Sequence, residues 1–282
     1  MTDKAPSATR TFEAIAQPFS DFYRFQRLPF DRAIPTEHLF MTDRHEEILA
    51  RMTYAIERQW FVVLTGACGS GKSTLLRRLQ RDLDPFRYRC LYLADSKLTP
   101  RHFYNGILRQ LGVEGAFYRG DSKRILHREI ALMVQSQKIQ PVILIDEAHL
   151  LDREMLEELR FLLNFNVDSE SPLALVLSGQ PELNDKLSRQ AFLAISQRVN
   201  MRCFARNLDP AQTRDYIRQQ LTYAKSFSDI FADDAIEEIF HMSAGSPRLI
   251  NKVCTHALIY GAQKEKGVLS ASDIRYVIEQ EI

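Results

Sequence analysis

From residue 61 onward the chain alternates between two hydrophobic rhythms. Short apolar-rich runs, FVVLT at 61–65, YRCLYLA at 88–94, VILID at 142–146 and LALVL at 173–177, are of strand length. Between them, segments starting at Lys72, at 101–110, at 122–137 and at 153–165 repeat their apolar residues at helical spacing. A further helix precedes the first strand, with Ile48, Met52, Ala55 and Ile56 on one face and Asp43 placed to cap it. Strands that are apolar throughout have no face left for water, so the pattern predicts an α/β fold, a parallel sheet covered by helices on both sides. From Asp209 the strand rhythm stops. DPAQTRDYIRQQL, DDAIEEIFHM, PRLINKVCTHALIYGA and SASDIRYVIEQEI all read as helices. The expected organisation is a polar arm over 1–18, an α/β domain over 19–208 and a small all-helical domain over 209–282. The aromatic stretch FSDFYRFQRLPFDRAIP, with Pro29 and Pro35, is expected to be irregular and pinned onto the core of the α/β domain.

Composition adds boundaries more than direction. A chain of 282 residues with 45% hydrophobic and 26% charged residues is long enough for two cores. Its net charge of +1 excludes a globally basic nucleic-acid binder but leaves room for a local basic stripe. Cys68, Cys90, Cys203 and Cys254 are widely spaced, which argues against a zinc site or a disulfide framework and for reduced thiols. No apolar run reaches the ~18 residues of a membrane span, and the N-terminus lacks the apolar core of a secretory signal. The expected location is cytoplasmic, with no membrane partner.

Chemistry enters at GACGSGKS, which fits G-x-x-x-x-G-K-[ST] between a strand and a helix. Glycines let the backbone curl so that successive N–H groups face phosphate oxygens, and the helix starting near Lys72 adds its positive end. Gly66, Ala67, Cys68, Gly69, Ser70, Gly71, Lys72, Ser73 and Thr74 are therefore the expected nucleotide cradle. Lys72 would neutralise the β- and γ-phosphates of ATP, and Ser73 would offer its hydroxyl to Mg²⁺. A second motif, PVILIDEAHLLD, ends a buried strand in two adjacent acids, where ligands bind in open α/β sheets. Asp146 is placed to hold the Mg²⁺ shell and Glu147 to orient or deprotonate the attacking water. His149 reads as a core residue or a support behind these two.

The order of phosphate loop, DEAH, LALVLSGQPEL, ISQRV and GSPR resembles AAA+ ATPases, and within them the ExeA/GspA-like group. The resemblance runs from Phe19 onward and includes FYRFQRLPF, similar to that group's F-Y-G-L-x-x-x-P-F with Arg24 in place of the glycine. It implies a P-loop AAA+ domain followed by a helical lid, with the aromatic entry segment near the adenine. It implies three further ATP-handling residues. Gln180 would contact the γ-phosphate or the water as sensor 1, and Arg248 on the lid would do so as sensor 2. Arg198, with Arg202 as the fallback, would be an arginine finger reaching a neighbouring copy's ATP in a ring or helical filament.

The group's secretion ATPases usually continue past the lid into a membrane span and a peptidoglycan-binding region, whereas this sequence stops at the lid, as do transposition helpers of the MuB, IstB and TnsC kind. That likeness implies an ATPase that assembles on double-stranded DNA and presents it to a transposase. Residues 97–129 carry seven Lys or Arg against three acids. Lys97, Arg119 and Lys123 are the expected DNA-backbone contacts, since loop cations give affinity without sequence preference. The alternative is an ATPase serving a secretion or envelope complex.

Overall fold

The computed structural model describes residues 19–95, 98–163, 171–226 and 229–281. The chain divides into two compact units, one of Met41–Arg206 and one joining the residues up to Phe40 with Asn207–Ile282.

The first unit is built on five parallel strands, β1 (Phe61–Gly66), β2 (Tyr88–Leu93), β3 (Gln140–Ile145), β4 (Ala174–Gly179) and β5 (Val199–Ala205), in the order β2-β3-β4-β1-β5. All of β1 and β4 is buried, as is β3 beyond Gln140, which is why these three are apolar without alternation. The edge strands differ. In β2 only Tyr88 and Leu91 are buried, and in β5 only Cys203 and Ala205. The side chain of Gln110 lies along the open edge of β2: its Nε2 donates to Tyr92 O (2.9 Å) and its Oε1 accepts from Tyr92 N (3.0 Å). An amide that imitates a strand there blocks edge-to-edge pairing.

Around the sheet lie α1 (Asp43–Glu57), α2 (Lys72–Asp82), α3 (Pro100–Gln110), α4 (Arg119–Leu132), α5 (Arg153–Leu162) and α6 (Glu182–Ser188). One cluster with Phe103, Tyr104, Ile107, Leu126, Met155 and Leu159 covers one sheet face. A second, with Ile48, Met52, Ile56, Leu75 and Leu79, covers the other. The cap of α1 corrects the expectation of Asp43. Thr42 takes the extended conformation, its hydroxyl accepts from His45 N (3.2 Å), and His45 Nδ1 accepts from Thr42 N (3.3 Å). Burial lowers the His45 pKa, which keeps the ring neutral and able to accept.

The second unit contains α7 (Pro210–Tyr223), α8 (Asp233–Ser243), α9 (Pro247–Gln263) and α10 (Ala271–Glu281). Asp209 and Gln212 form a capping box for α7, and proline occupies the first helical position of α7 and α9. The aromatic entry segment belongs to this unit, not to the α/β unit that the sequence suggested. Phe19, Tyr23 and Phe30 share a core with Leu208, Ile217, Phe231, Leu258 and Leu269. Tyr23 donates to Lys266 O (2.9 Å), and Phe30 N donates to Gln220 Oε1 (3.0 Å). Arg24, where the group's pattern has glycine, has φ 56°, the left-handed conformation in which glycine carries no penalty. The expected arm over 1–18 lies outside the described residues.

A buried carboxylate joins α5 to α3 and α4. Glu158 Oε1 accepts from Tyr104 (2.5 Å) and Lys123 (2.6 Å). Burial alone would raise the Glu158 pKa, but the Lys123 and Tyr104 hydrogen bonds outweigh it and hold the carboxyl below its usual 4.5. A depressed folded pKa contributes stability above the unfolded value and loses it as pH falls through the folded one. Lys123→Met should therefore destabilise the fold by about 1–3 kcal/mol at pH 7. The deficit, measured by urea titration, should shrink as pH falls below 4.5.

Candidate functional site

At the C-terminal edge of the sheet, β1 runs into the loop 67–71 and the loop into α2. Gly69 (φ 78°) and Gly71 (φ 90°) adopt conformations that ordinary residues rarely take, and Gly71 sits at the helix cap position. Gly66 is required for a different reason: a Cβ there would stand 2.5 Å from Ala205 O and 2.6 Å from Ser70 Oγ. Lys72 Nζ donates to Gly66 O (2.8 Å) and Ala67 O (2.9 Å), so the amine lies over the loop that the sequence marks as a phosphate cradle. Ser70 Oγ is buried with no hydrogen-bond partner. A curled glycine loop at a helix N-terminus, an amine and an unmet buried hydroxyl fit a polyphosphate ligand. Cys68 is exposed within this loop, and Thr74 is half-buried in the first turn of α2.

Asp146 follows β3 and is 4% exposed. Its Oδ2 accepts from Ser73 Oγ (2.9 Å) and Tyr92 (3.3 Å), and its Oδ1 from Ser178 Oγ (2.8 Å) and Glu147 N (3.0 Å). The structure thus brings together Ser73 and Asp146, the two expected Mg²⁺ residues, and both offer the oxygen atoms that this cation prefers. Burial, and then the Asp146 charge, push the Tyr92 phenol up to about 12, so it keeps its proton to donate at neutral pH. Glu147, beside it, has φ 53° and a side chain 46% exposed, accessible to water where Asp146 is not. Its Oε2 is 3.6 Å from His149 Nδ1, and His149 Nε2 is 3.1 Å from Gln180 Nε2. Gln180 directly follows β4 and stands in the same cluster as Glu147.

The remaining expected residues lie elsewhere. Arg198 precedes β5, whose Val199 pairs with Phe61, at the end of the sheet opposite the loop. Arg202 is exposed in mid-strand and donates to Asn184 Oδ1 (2.7 Å) and Ser196 Oγ (3.0 Å). Asn184 in turn donates to Thr65 Oγ1 (2.9 Å). Arg248 stands in the first turn of α9 in the helical unit. Of the expected DNA contacts, Lys97 lies outside the described residues. Arg119 and Lys123 are not free cations: they pair with Glu154 and Glu158, each at 2.6 Å. Both acids lie 35 residues further on, outside the reach of the local charge count.

Tyr92 and Ser178 had no sequence signal beyond a polar group near a strand's C-terminal end. Their role as donors to Asp146 depends on strand order, which places β2 and β4 on either side of β3.

The fold is that of the P-loop AAA+ proteins, and residues 55–187 match the family model described as AAA domain. General secretion pathway protein A of Aeromonas hydrophila is 31% identical over 245 residues, covering 86% of this chain and 44% of that protein. The chain thus spans less than half the length of that relative. Among solved structures, Cdc6p from Pyrobaculum aerophilum superimposes with a TM-score of 0.69 at 15% identity, covering 89% of this chain and 70% of that one. Drosophila ORC bound to DNA gives 0.65 at 18%, covering 99% and 68%. The RuvB branch migration motor of Thermotoga maritima gives 0.58 at 17%, covering 85% and 69%. Likeness at such identities carries the fold alone. Among the described residues no helix is long and apolar enough to cross a membrane.

The close approach at Gly66 makes a direct prediction. Gly66→Ala should distort the loop and weaken ATP binding at least about tenfold, as expected when a charge-assisted cradle is misplaced. Calorimetric titration with ATP measures the loss, and circular dichroism should show the secondary structure intact.

Proposed function

We propose that this chain is a magnesium-dependent ATPase whose nucleotide cycle drives assembly with further copies of itself and serves a secretion or envelope complex. The observation that carries the ATPase reading is the Ser73–Asp146 contact with Glu147 next to it and exposed. In this reading Ser73 and Asp146 hold Mg²⁺, which neutralises charge developing on the phosphates. Lys72 leaves the loop carbonyls to bind the β- and γ-phosphates, with Gly66, Ala67, Cys68, Gly69, Ser70, Gly71 and Thr74 supplying the surrounding loop. Glu147 orients the attacking water and accepts its proton. Gln180 holds the water or γ-phosphate, and Arg248, in GSPR, is the proposed second sensor of the γ-phosphate.

Arg198 completes the site of a neighbouring copy. The five strand steps from Phe61 to Gly66 amount to about 17 Å at ~3.3 Å per residue, so Arg198 is too distant to serve its own chain's loop. Hydrolysis should therefore depend on assembly.

The partner reading leans on the Aeromonas relative's printed name and on the pairing of Arg119 and Lys123 with Glu154 and Glu158. The target-DNA and transposase reading needs those cations for phosphates and loses its nearest support.

Lys72→Ala should weaken ATP binding by about 10- to 100-fold, the size of a lost charge-assisted hydrogen bond. Glu147→Gln should bind normally and turn over at least about 100-fold more slowly. Normal turnover by Glu147→Gln would remove it as the catalytic carboxylate. Mixing Arg198→Ala with Glu147→Gln subunits should recover activity at interfaces that pair an intact Glu147 with an intact Arg198. Co-assembled mixtures with no recovery would give Arg198 another role. Duplex DNA at about 50 mM salt, where backbone contacts are strong, should neither bind nor stimulate. Salt-sensitive binding with ATP would restore the target-DNA reading.

A further inference from the structure

Thr65 directly precedes Gly66, where the phosphate loop begins, and its hydroxyl is tied to residues outside that loop. The side chain is 1% exposed, and Oγ1 accepts from Asn184 Nδ2 (2.9 Å). Asn184 stands half-buried in the first turn of α6, and its Oδ1 accepts from Arg202 Nη1 (2.7 Å). Arg202, exposed on β5, is itself held at two further points. Its Nη2 donates to Ser196 Oγ (3.0 Å), and its carbonyl accepts from Arg51 Nη2 of α1 (3.0 Å).

The direction of this chain is forced. A guanidinium carries donors only, so Arg202 must face the Asn184 oxygen. The amide nitrogen is then left for Thr65, whose hydroxyl must accept. Without the guanidinium the amide is free to turn over and present either end to Thr65. Order at Thr65 matters because the next residue has no slack. A Cβ on Gly66 would stand 2.5 Å from Ala205 O and 2.6 Å from Ser70 Oγ, and the Gly66 carbonyl accepts from Lys72 Nζ (2.8 Å). A displacement of Thr65 is therefore passed to the loop and to its amine.

We propose that Asn184 and Arg202 are positioning residues for the phosphate loop of their own chain: Arg202 orients the Asn184 amide, the amide holds Thr65, and Thr65 sets Gly66 where the loop receives phosphate. Arg202 thus works in cis, through two hydrogen bonds, and not as a finger on a neighbouring copy. The inference rests on the ATP-binding role given above to the loop.

Two measurements test it. The first is the equilibrium binding of ATP to protein that sediments as a monomer, where a residue acting only on a neighbour has no effect. Arg202→Ala, Asn184→Ala and Thr65→Val should each raise the ATP Kd about three- to tenfold, the size of one lost hydrogen bond. Thr65 and Arg202 do not bond to each other, yet the double variant Thr65→Val with Arg202→Ala should bind no worse than the poorer single variant, because both changes cut the same chain. Arg202→Lys keeps a donor for the Asn184 oxygen and should stay within about twofold of the wild type. A wild-type Kd in Arg202→Ala, or Kd increases that multiply in the double variant, would overturn the proposal. The second measurement needs no nucleotide. In ¹⁵N-labelled protein the Gly66 and Gly69 amide signals should shift in Arg202→Ala, and adding Arg202→Ala to Thr65→Val should move them no further. Signals that Arg202→Ala leaves in place would overturn the coupling whether or not ATP binds. Signals that shift in a protein that fails to bind ATP would remove the ATP reading and leave the coupling standing.

Discussion

A buried carboxylate at the end of β3 is the constraint on which the rest of this structure depends. Taking Asp146 out of water costs several kcal/mol unless donors replace the lost hydration. The fold supplies four: Ser73 from the helix after the loop, Tyr92 from β2, Ser178 from β4 and the Glu147 backbone. Each comes from a different piece of chain, and three of them reach Asp146 only because β3 lies between β2 and β4, with β1 delivering the loop next to β4. The strand order and the site are one requirement seen at two scales. Glu147, the next residue, stays exposed to water.

The same geometry explains the division of labour along the sheet. Its C-terminal edge collects the loop, the two acids and Gln180, as open parallel sheets do with their ligands. Arg198 lies at the opposite edge, about 17 Å of strand away from its own chain's loop. Between them, Arg202, Asn184 and Thr65 form a polar chain from the exposed face of β5 to the last residue before Gly66. A contact made at the β5 edge is thus two hydrogen bonds from the phosphate loop.

What the sequence made legible was local. β1, β3 and β4 were readable because full burial demands continuous apolar residues, and the loop because its glycines and lysine have few other uses in that setting. β5 escaped notice: as an edge strand it buries only Cys203 and Ala205, and its polar residues erase the strand signal. Thr42 displaced Asp43 as the α1 cap because the cap depends on backbone conformation, which neighbouring polar residues do not reveal. The aromatic segment 19–40 is clearly apolar in sequence, yet nothing in it tells which of two cores it joins. The partners of the basic stripe were hidden for a related reason. Arg119 and Lys123 lie one helical turn apart on α4 and meet Glu154 and Glu158, spaced the same way on α5, and a running charge count cannot see partners on a second helix.

The central claim is that Asp146 links magnesium to the phosphate loop, and the isosteric change Asp146→Asn tests it most directly. ATP binding should be measured by calorimetry with Mg²⁺ and with EDTA. The account predicts that the variant binds ATP in EDTA as the wild type does and loses the gain in affinity that Mg²⁺ gives the wild type. An undiminished Mg²⁺ gain in Asp146→Asn would contradict it.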